Sequence, residues 1–272
     1  DGIFVITGAE LKSLGLSQKE KDQYIRPFIK NGDIKKKYSL EKKDQELFLI
    51  YFENGDLDSK SRIYKHLEKF KPILENRYKF RTEDRLKWFD LHRPLNSKVI
   101  NSAKIISPYR STCPIFVCTR TPVFSSIDVF YTIPLNKESN LYLALGLLNS
   151  KLTWYWLRHK GKMKGRMLEL YSKPLGDIPF KNFAISEKDF SSVTLEEAKK
   201  FLKTNVKNVQ ECARLISGLA FKATREPKNS SEIEIIIDDL ALLYYGLPLS
   251  ARKFLDSYFE SEEPEDASSE AA

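Results

Sequence analysis

Apolar residues along this chain fall into two rhythms, one of helical period and one of strand period. Over residues 61–78, Ile63, Leu67, Phe70 and Leu74 follow at steps of four, three and four, the spacing of one helical face. Lys65, Lys69 and Arg77 lie mainly off that stripe, so the pattern predicts an amphipathic helix with a basic outer side. Residues 139–158 read as one long helix with Trp154, Tyr155 and Trp156 near its end, broken by Gly161 and Gly165. Ser17 with Glu20 is a capping-box pattern and predicts a helix from Gln18 to about Ile25, where Pro27 disturbs it. Thr194 with Glu197 is a second such box and opens a helix that could reach Phe221. Residues 233–245, stopped by Gly246 and Pro248, and residues 249–259 are the remaining helical candidates, although Ile235-Ile236-Ile237 alone fits a strand.

The strand rhythm is shorter. Residues 3–6 and 47–52 are compact apolar runs, the second bounded by the turn sequence Asn54-Gly55-Asp56. Residues 86–134 alternate β-prone runs, such as Lys104-Ile105-Ile106 and Ile115-Phe116-Val117, with turn residues and carry Pro94, Pro108, Pro114, Pro122 and Pro134. Proline donates no hydrogen bond to a ladder, which confines these runs to strand edges and loops. The expected class is α+β: a small mixed β-sheet domain with flanking helices over 1–192, a mostly helical region over 193–259, and a disordered acidic tail over 260–272.

Charge sharpens this picture. The formal net charge is +8, but all six acids of residues 260–272 lie beyond the last base, so residues 1–259 set forty-five Lys/Arg against thirty-one Asp/Glu, a net of +14. Within 60–120 there are fifteen bases to five acids, and from Arg158 to Arg166 every second residue is basic. Stripes of this kind raise the local potential and favour polyanions, nucleic acid foremost, over the alternative of a merely solvated surface. Cys113, Cys118 and Cys212 are odd in number and lack C-x-x-C spacing, so a reduced, cytoplasmic setting is expected. The apolar stretch 141–148 falls well short of the ~20 residues of a membrane helix. A strand-like run directly after Asp1 reads as part of a longer polypeptide.

Catalytic signatures are absent from these residues. The glycines never form Gly-x-Gly, which excludes a dinucleotide fingerprint and a P-loop. Ser107-Pro108-Tyr109 lacks the leading amide and second proline of an amino-methyltransferase loop and reads as a strand-edge turn. Asp56, Asp58 and Lys60 have the acid-x-Lys look of a metal-dependent nuclease, yet they stand in a turn before a helix. His66, His92 and His159 form no metal-binding pair, and His66 reads as a surface or boundary residue.

Several stretches, taken in order, resemble the TaqI-like C-terminal specificity domain, the target-recognition region of adenine-specific DNA methyltransferases and type IIG restriction-modification enzymes. They are Thr7-Gly8, residues 24–34 (Tyr-Ile-Arg-Pro-Phe-Ile-Lys-Asn-Gly-Asp-Ile), the helix around Leu67 to Arg77, Trp88, Lys104-Ile105-Ile106, Leu147-Leu148-Asn149-Ser150-Lys151-Leu152, Leu175-Gly176-Asp177-Ile178-Pro179-Phe180, Ile237-Asp238-Asp239-Leu240 and Tyr245-Gly246-Leu247. The Leu-Asn-Ser segment also resembles specificity subunits of type I restriction systems. The resemblance implies that residues 1–192 recognise double-stranded DNA. It further implies an upstream methyltransferase domain of the same polypeptide that binds S-adenosylmethionine and flips out adenine, with a nuclease beside it in the type IIG members.

A sequence reader needs phosphate contacts for register and base contacts for specificity. Lys104, Lys151, Arg158, Lys160, Lys162, Lys164 and Arg166 are the candidates for phosphate, the last four in a glycine-interrupted loop. Arg110 and Arg120, with Thr119 and Thr121, are the candidates for base edges, since arginine matches the two acceptors of guanine; a surface ion pair is the competing role for both arginines. Trp154, Tyr155 and Trp156 suit core packing better than base stacking. A specificity-subunit-like module of a type I restriction system, a metal-dependent nuclease fragment and a protein-interaction scaffold are the competing functions.

Overall fold

The protein is described by a computed structural model covering residues 2–40, 46–53, 56–77, 87–91, 97–136, 140–204, 206–227 and 230–262. In chain order its elements begin β1 (Val5–Thr7), α1 (Gly8–Ser13), α2 (Gln18–Tyr24), β2 (Ile25–Ile29), β3 (Leu47–Ile50), α3 (Arg62–Glu68), α4 (Lys71–Asn76) and α5 (Ser97–Asn101). They continue β4 (Lys104–Pro108), β5 (Arg110–Ser111), β6 (Val117–Thr119), β7 (Phe124–Ser125), β8 (Val129–Thr132), α6 (Leu141–Leu148) and α7 (Lys151–Lys160). The last are β9 (Met163–Lys164), β10 (Met167–Glu169), α8 (Ser172–Gly176), α9 (Glu187–Phe190), α10 (Leu195–Lys203), α11 (Val209–Arg225), α12 (Ser230–Tyr244) and α13 (Ala251–Glu262). The class is α+β, as the patterning predicts.

Two compact units share the chain. The first gathers residues 1–33, 41–102 and 120–129. Its sheet runs β1-β3-β2-β7, with β3 antiparallel to both neighbours and β7 parallel to β2. Ile6, Ile50, Ile63, Leu67 and Leu74 are each no more than 1% exposed and form its core. The apolar stripe over 61–78 therefore faces inward as its spacing requires, but it lies on two helices. Pro72 in the first turn of α4 has no N–H to continue α3, so the chain restarts there.

The second unit holds residues 34–40, 103–119 and 130–272. It has two three-stranded sheets, β6-β4-β8 and β5-β10-β9, and the helices α6 to α13. A division near residue 192 is thus not the one along which the chain compacts: residues 130–192 pack with the helices that follow. At the α9–α11 crossing, a Cβ on Gly218 would stand 2.5 Å from the Phe190 carbonyl oxygen and 2.4 Å from Val193 Cβ. Only glycine allows the two backbones to approach so closely.

Both capping boxes read from the sequence form, at Ser17–Glu20 and Thr194–Glu197, and further ones close at Thr7–Glu10 and Ser186–Asp189. The helix from Thr194 does not reach Phe221, because Asn208 caps a new helix, α11. Helix α13 runs to Glu262, so residues 260–262 are helical and not tail; residues 263–272 lie outside the described residues. Among the described residues no helix is long and apolar enough to cross a membrane, and no group of three or more His, Cys, Asp or Glu is placed to hold a metal.

Candidate nucleic-acid interface

The basic stripe is carried by α7 and by the hairpin after it, so the placement of α7 fixes the site. The expected single helix over 139–158 is in fact two, because Asn149 and Ser150 turn inward between α6 and α7. The Asn149 amide donates to the carbonyls of Phe116 (2.9 Å) and Leu145 (3.1 Å), and its oxygen accepts the Phe116 N–H (3.0 Å). Ser150 then caps α7 by accepting the Thr153 N–H. Asp238 of α12 accepts the Lys151 N–H at 2.8 Å, a carboxylate at the positive end of α7. Arg158, His159 and Lys160 occupy its last turn, where the helix dipole favours cations. Two stretches far apart in sequence, Leu147–Leu152 and Ile237–Leu240, therefore meet as the mounting of the stripe.

Asp238 is also the core of an ionic network. Arg252 lies 3.5 Å from it and binds Asp239 and Asp256 at 3.1 Å, while Lys151 Nζ binds Asp256 at 2.6 Å. Burial raises the Asp238 pKa to about 6, against the Lys151 N–H and Arg252, which act to lower it. Between about pH 4 and pH 6 the folded chain holds this proton and the unfolded chain does not, so unfolding free energy falls as pH rises across that window, by up to roughly 3 kcal/mol. Asp238→Asn keeps an oxygen for the Lys151 N–H and removes the titration. The difference between wild-type and variant stability curves, measured by urea unfolding from pH 4 to 7, is expected to carry this slope; parallel curves would refute it.

Beyond Gly161 the chain forms a hairpin. Lys164 pairs with Met167 and Met163 with Leu168, leaving Gly165 and Arg166 as a two-residue turn. Gly165 has φ +61 and Arg166 does not have positive φ, which matches the turn that demands glycine first. β10 pairs on its other side with β5, setting Glu169 opposite Arg110. Glu169 is 3% exposed, and its Oε1 accepts Arg110 Nε (3.2 Å) and Nη2 (3.0 Å) while Oε2 pairs with Lys162 Nζ (3.1 Å). The Lys162 contact, then Arg110, holds the Glu169 carboxyl below its ordinary pKa, and Glu169 raises that of Lys162. Around this acid the Tyr109 ring stacks on Phe130 at 5.7 Å and tilts against Tyr171 at 6.2 Å. Arg110 and Lys162 lie over Tyr109 and Tyr171 at 5.0 and 5.9 Å.

The candidate residues sort clearly. Lys160, Lys162, Lys164 and Arg166 are exposed on the α7 end and the hairpin, with Arg158 half-buried beside them. No carboxylate pairs with Lys160, Lys164 or Arg166 among the described residues. Lys151 is half-buried and tied to Asp256. Lys104 is fully buried in β4, its ammonium over the Tyr131 ring and its pKa lowered by desolvation; it is absent from the surface where phosphate contacts are made. Arg110 takes the ion-pair role, at Glu169. Thr119 ends β6 in the second unit, whereas Arg120 and Thr121 are exposed residues of the first. Trp154 is buried; Tyr155 and Trp156 are half-exposed and, with Pro179, Tyr245 and Leu247, line an apolar hollow of about 430 Å³. Asp58 accepts the Lys60 N–H (2.9 Å) in the turn before α3, and His66 is half-buried against Phe70. His92 lies outside the described residues.

No family model matches the chain. It is 28% identical over 189 residues to the type II methyltransferase M.HindII of Haemophilus influenzae, a match over 65% of this chain and 34% of that protein. It is 29% identical over 184 residues to the type II methyltransferase M.MjaIV of Methanocaldococcus jannaschii, over 61% of this chain and 57% of that protein. The chain is similar to type II methyltransferases. It spans between about a third and just over half of these relatives' lengths. Its fold matches, over 96% of this chain and 34% of the other, the structure of the type IIL restriction-modification enzyme MmeI in complex with DNA, with a TM-score of 0.50 at 17% identity.

Sequence reasoning missed Glu169 and the aromatic group around it. Arg110 and Glu169 are 59 positions apart and meet only through the pairing of β5 with β10. The signal present in the sequence is the alternation of charge at Lys162 and Lys164, whose period of two is that of a strand, with Gly165 opening its turn.

Proposed function

We propose that this chain is the DNA sequence-recognition region of a restriction-modification adenine methyltransferase of the TaqI-like, type IIG kind. The observation that carries the reading is the run of five cations at alternate positions from Arg158 to Arg166, displayed on a capped helix end and a projecting hairpin. Its mounting uses the Leu-Asn-Ser and Ile-Asp-Asp stretches, which belong to the resemblance. Similarity to type II methyltransferases, and the fold shared with a restriction-modification enzyme in complex with DNA, support the same reading.

In this reading Arg158, Lys160, Lys162, Lys164 and Arg166 neutralise phosphates. Thr119 in the second unit, and Arg120 with Thr121 in the first, are the candidates for base edges, each within its own unit, while Arg110 stays with Glu169. The methyl donor, S-adenosylmethionine, belongs to a catalytic domain outside these residues, since the chain has no Gly-x-Gly turn to cradle it. The test is selection from a random duplex library. A consensus is expected, with log affinity falling against log salt at a slope of about −4 to −5 for five neutralised phosphates. A chain that retains no duplex at low salt would sink the reading.

A further inference from the structure

The hairpin of β9 and β10 holds more than charge. Residues 162–167 are exposed without interruption, whereas Leu168, Glu169 and Leu170 behind them are buried, so the element projects from the sheet as a two-stranded finger. A Cβ placed on Gly165 would meet nothing within 4 Å, which leaves the apex free. The chain contains two methionines, and both are here: Met163 and Met167, 37% and 45% exposed. Met163 pairs with Leu168 and Met167 with Lys164, so the two thioethers stand on opposite faces of the ribbon. Neither serves the core, and each is flanked by cations: Lys162, Lys164 and Arg166.

Such a finger has a geometric counterpart in duplex DNA. The major groove, about 12 Å wide, admits a two-stranded ribbon as it stands, whereas the minor groove at about 6 Å must be widened by bending the duplex to take one. Lysine and arginine along the ribbon meet the phosphates lining the groove. Methionine, unbranched and polarizable, adapts to irregular apolar surface, and the apolar features of the major groove are the C5-methyl groups of thymine.

Resting on the recognition reading above, we propose that the β9–β10 hairpin enters the major groove, with Met163 and Met167 seated on opposite sides against base edges and thymine methyl groups. Thymine-bearing duplex is thereby the preferred ligand at the positions the finger reaches.

The test is oxidative footprinting of the whole chain. Hydrogen peroxide transfers one oxygen to a thioether and leaves as water, and the sulfoxide is read peptide by peptide by mass spectrometry. Free protein is expected to oxidise at both methionines; with saturating duplex from the library, both rates are expected to drop at least about five-fold. Replacing thymine by uracil throughout the duplex is expected to weaken wild-type binding about ten-fold and to leave Met163→Ala/Met167→Ala affinity nearly unchanged. Undiminished oxidation in a complex that a gel shift shows to be formed would overturn the groove insertion and leave the recognition reading standing. Equal loss on uracil duplex for wild type and variant would overturn the thymine contact. Failure to bind any duplex would remove both.

Discussion

Changing Lys160, Lys162, Lys164 and Arg166 together to alanine is expected to abolish measurable duplex binding. Each neutralised phosphate releases condensed counterions and contributes about 0.9 to the salt slope, so four contacts account for roughly 3.6 of it and for about a 10³-fold affinity change at 0.1 M salt. All four side chains are exposed, and among the described residues only Lys162 has a carboxylate partner, Glu169, which keeps Arg110. The variant is therefore expected to fold with an unchanged circular dichroism spectrum, its thermal midpoint lowered only by the loss of Lys162 from Glu169. Fluorescence anisotropy titrations against a labelled duplex between 50 and about 300 mM salt check both quantities. A variant that binds as tightly, with the same slope, would place the polyanion site elsewhere on the chain.

Asn149→Ala is expected to cost about 4 kcal/mol of stability. Three hydrogen bonds at about 1 kcal/mol each are lost, and the Phe116 N–H is left buried without an acceptor. The Phe116 carbonyl is less exposed to the change, since it also accepts the Tyr38 N–H at 2.9 Å. Urea unfolding monitored by tryptophan fluorescence measures the loss; a shift worth less than about 1 kcal/mol would mean that water satisfies the strand as well as the amide does. Because Asn149 stands directly before the α7 cap, surviving folded protein is also expected to bind duplex less tightly.

The features that could be read from sequence are those decided by neighbours in sequence. The boxes at Ser17 and Thr194 start α2 and α10 where four residues alone specify a cap. The inward stripe of Ile63, Leu67 and Leu74 is fixed by helical period, and only the Pro72 restart divides it. The restart after Leu148 was illegible for the opposite reason. Asn and Ser are tolerated inside helices, and what turns Asn149 inward is the backbone of Phe116, directly before β6 and 33 positions away. The same holds for Lys104: Pro108 and a cation in the run point to an exposed strand edge, whereas β4 is the central strand between β6 and β8 and the Lys104 ammonium lies over the Tyr131 ring. In the site, the alternating charges are visible in the sequence and the buried carboxylate that holds Lys162 and Arg110 is not.

The finger at residues 162–167 has one further implication. Its side chains contribute almost nothing to the core, while its stem is bolted down by Leu168, Glu169 and Leu170. Positions 163, 164, 166 and 167 can thus be rewritten with little penalty in folding, provided glycine keeps the apex and Lys162 keeps Glu169. A scaffold so arranged can drift toward new target sequences by exchanging a cassette shorter than any helix, leaving the rest of the molecule as it is.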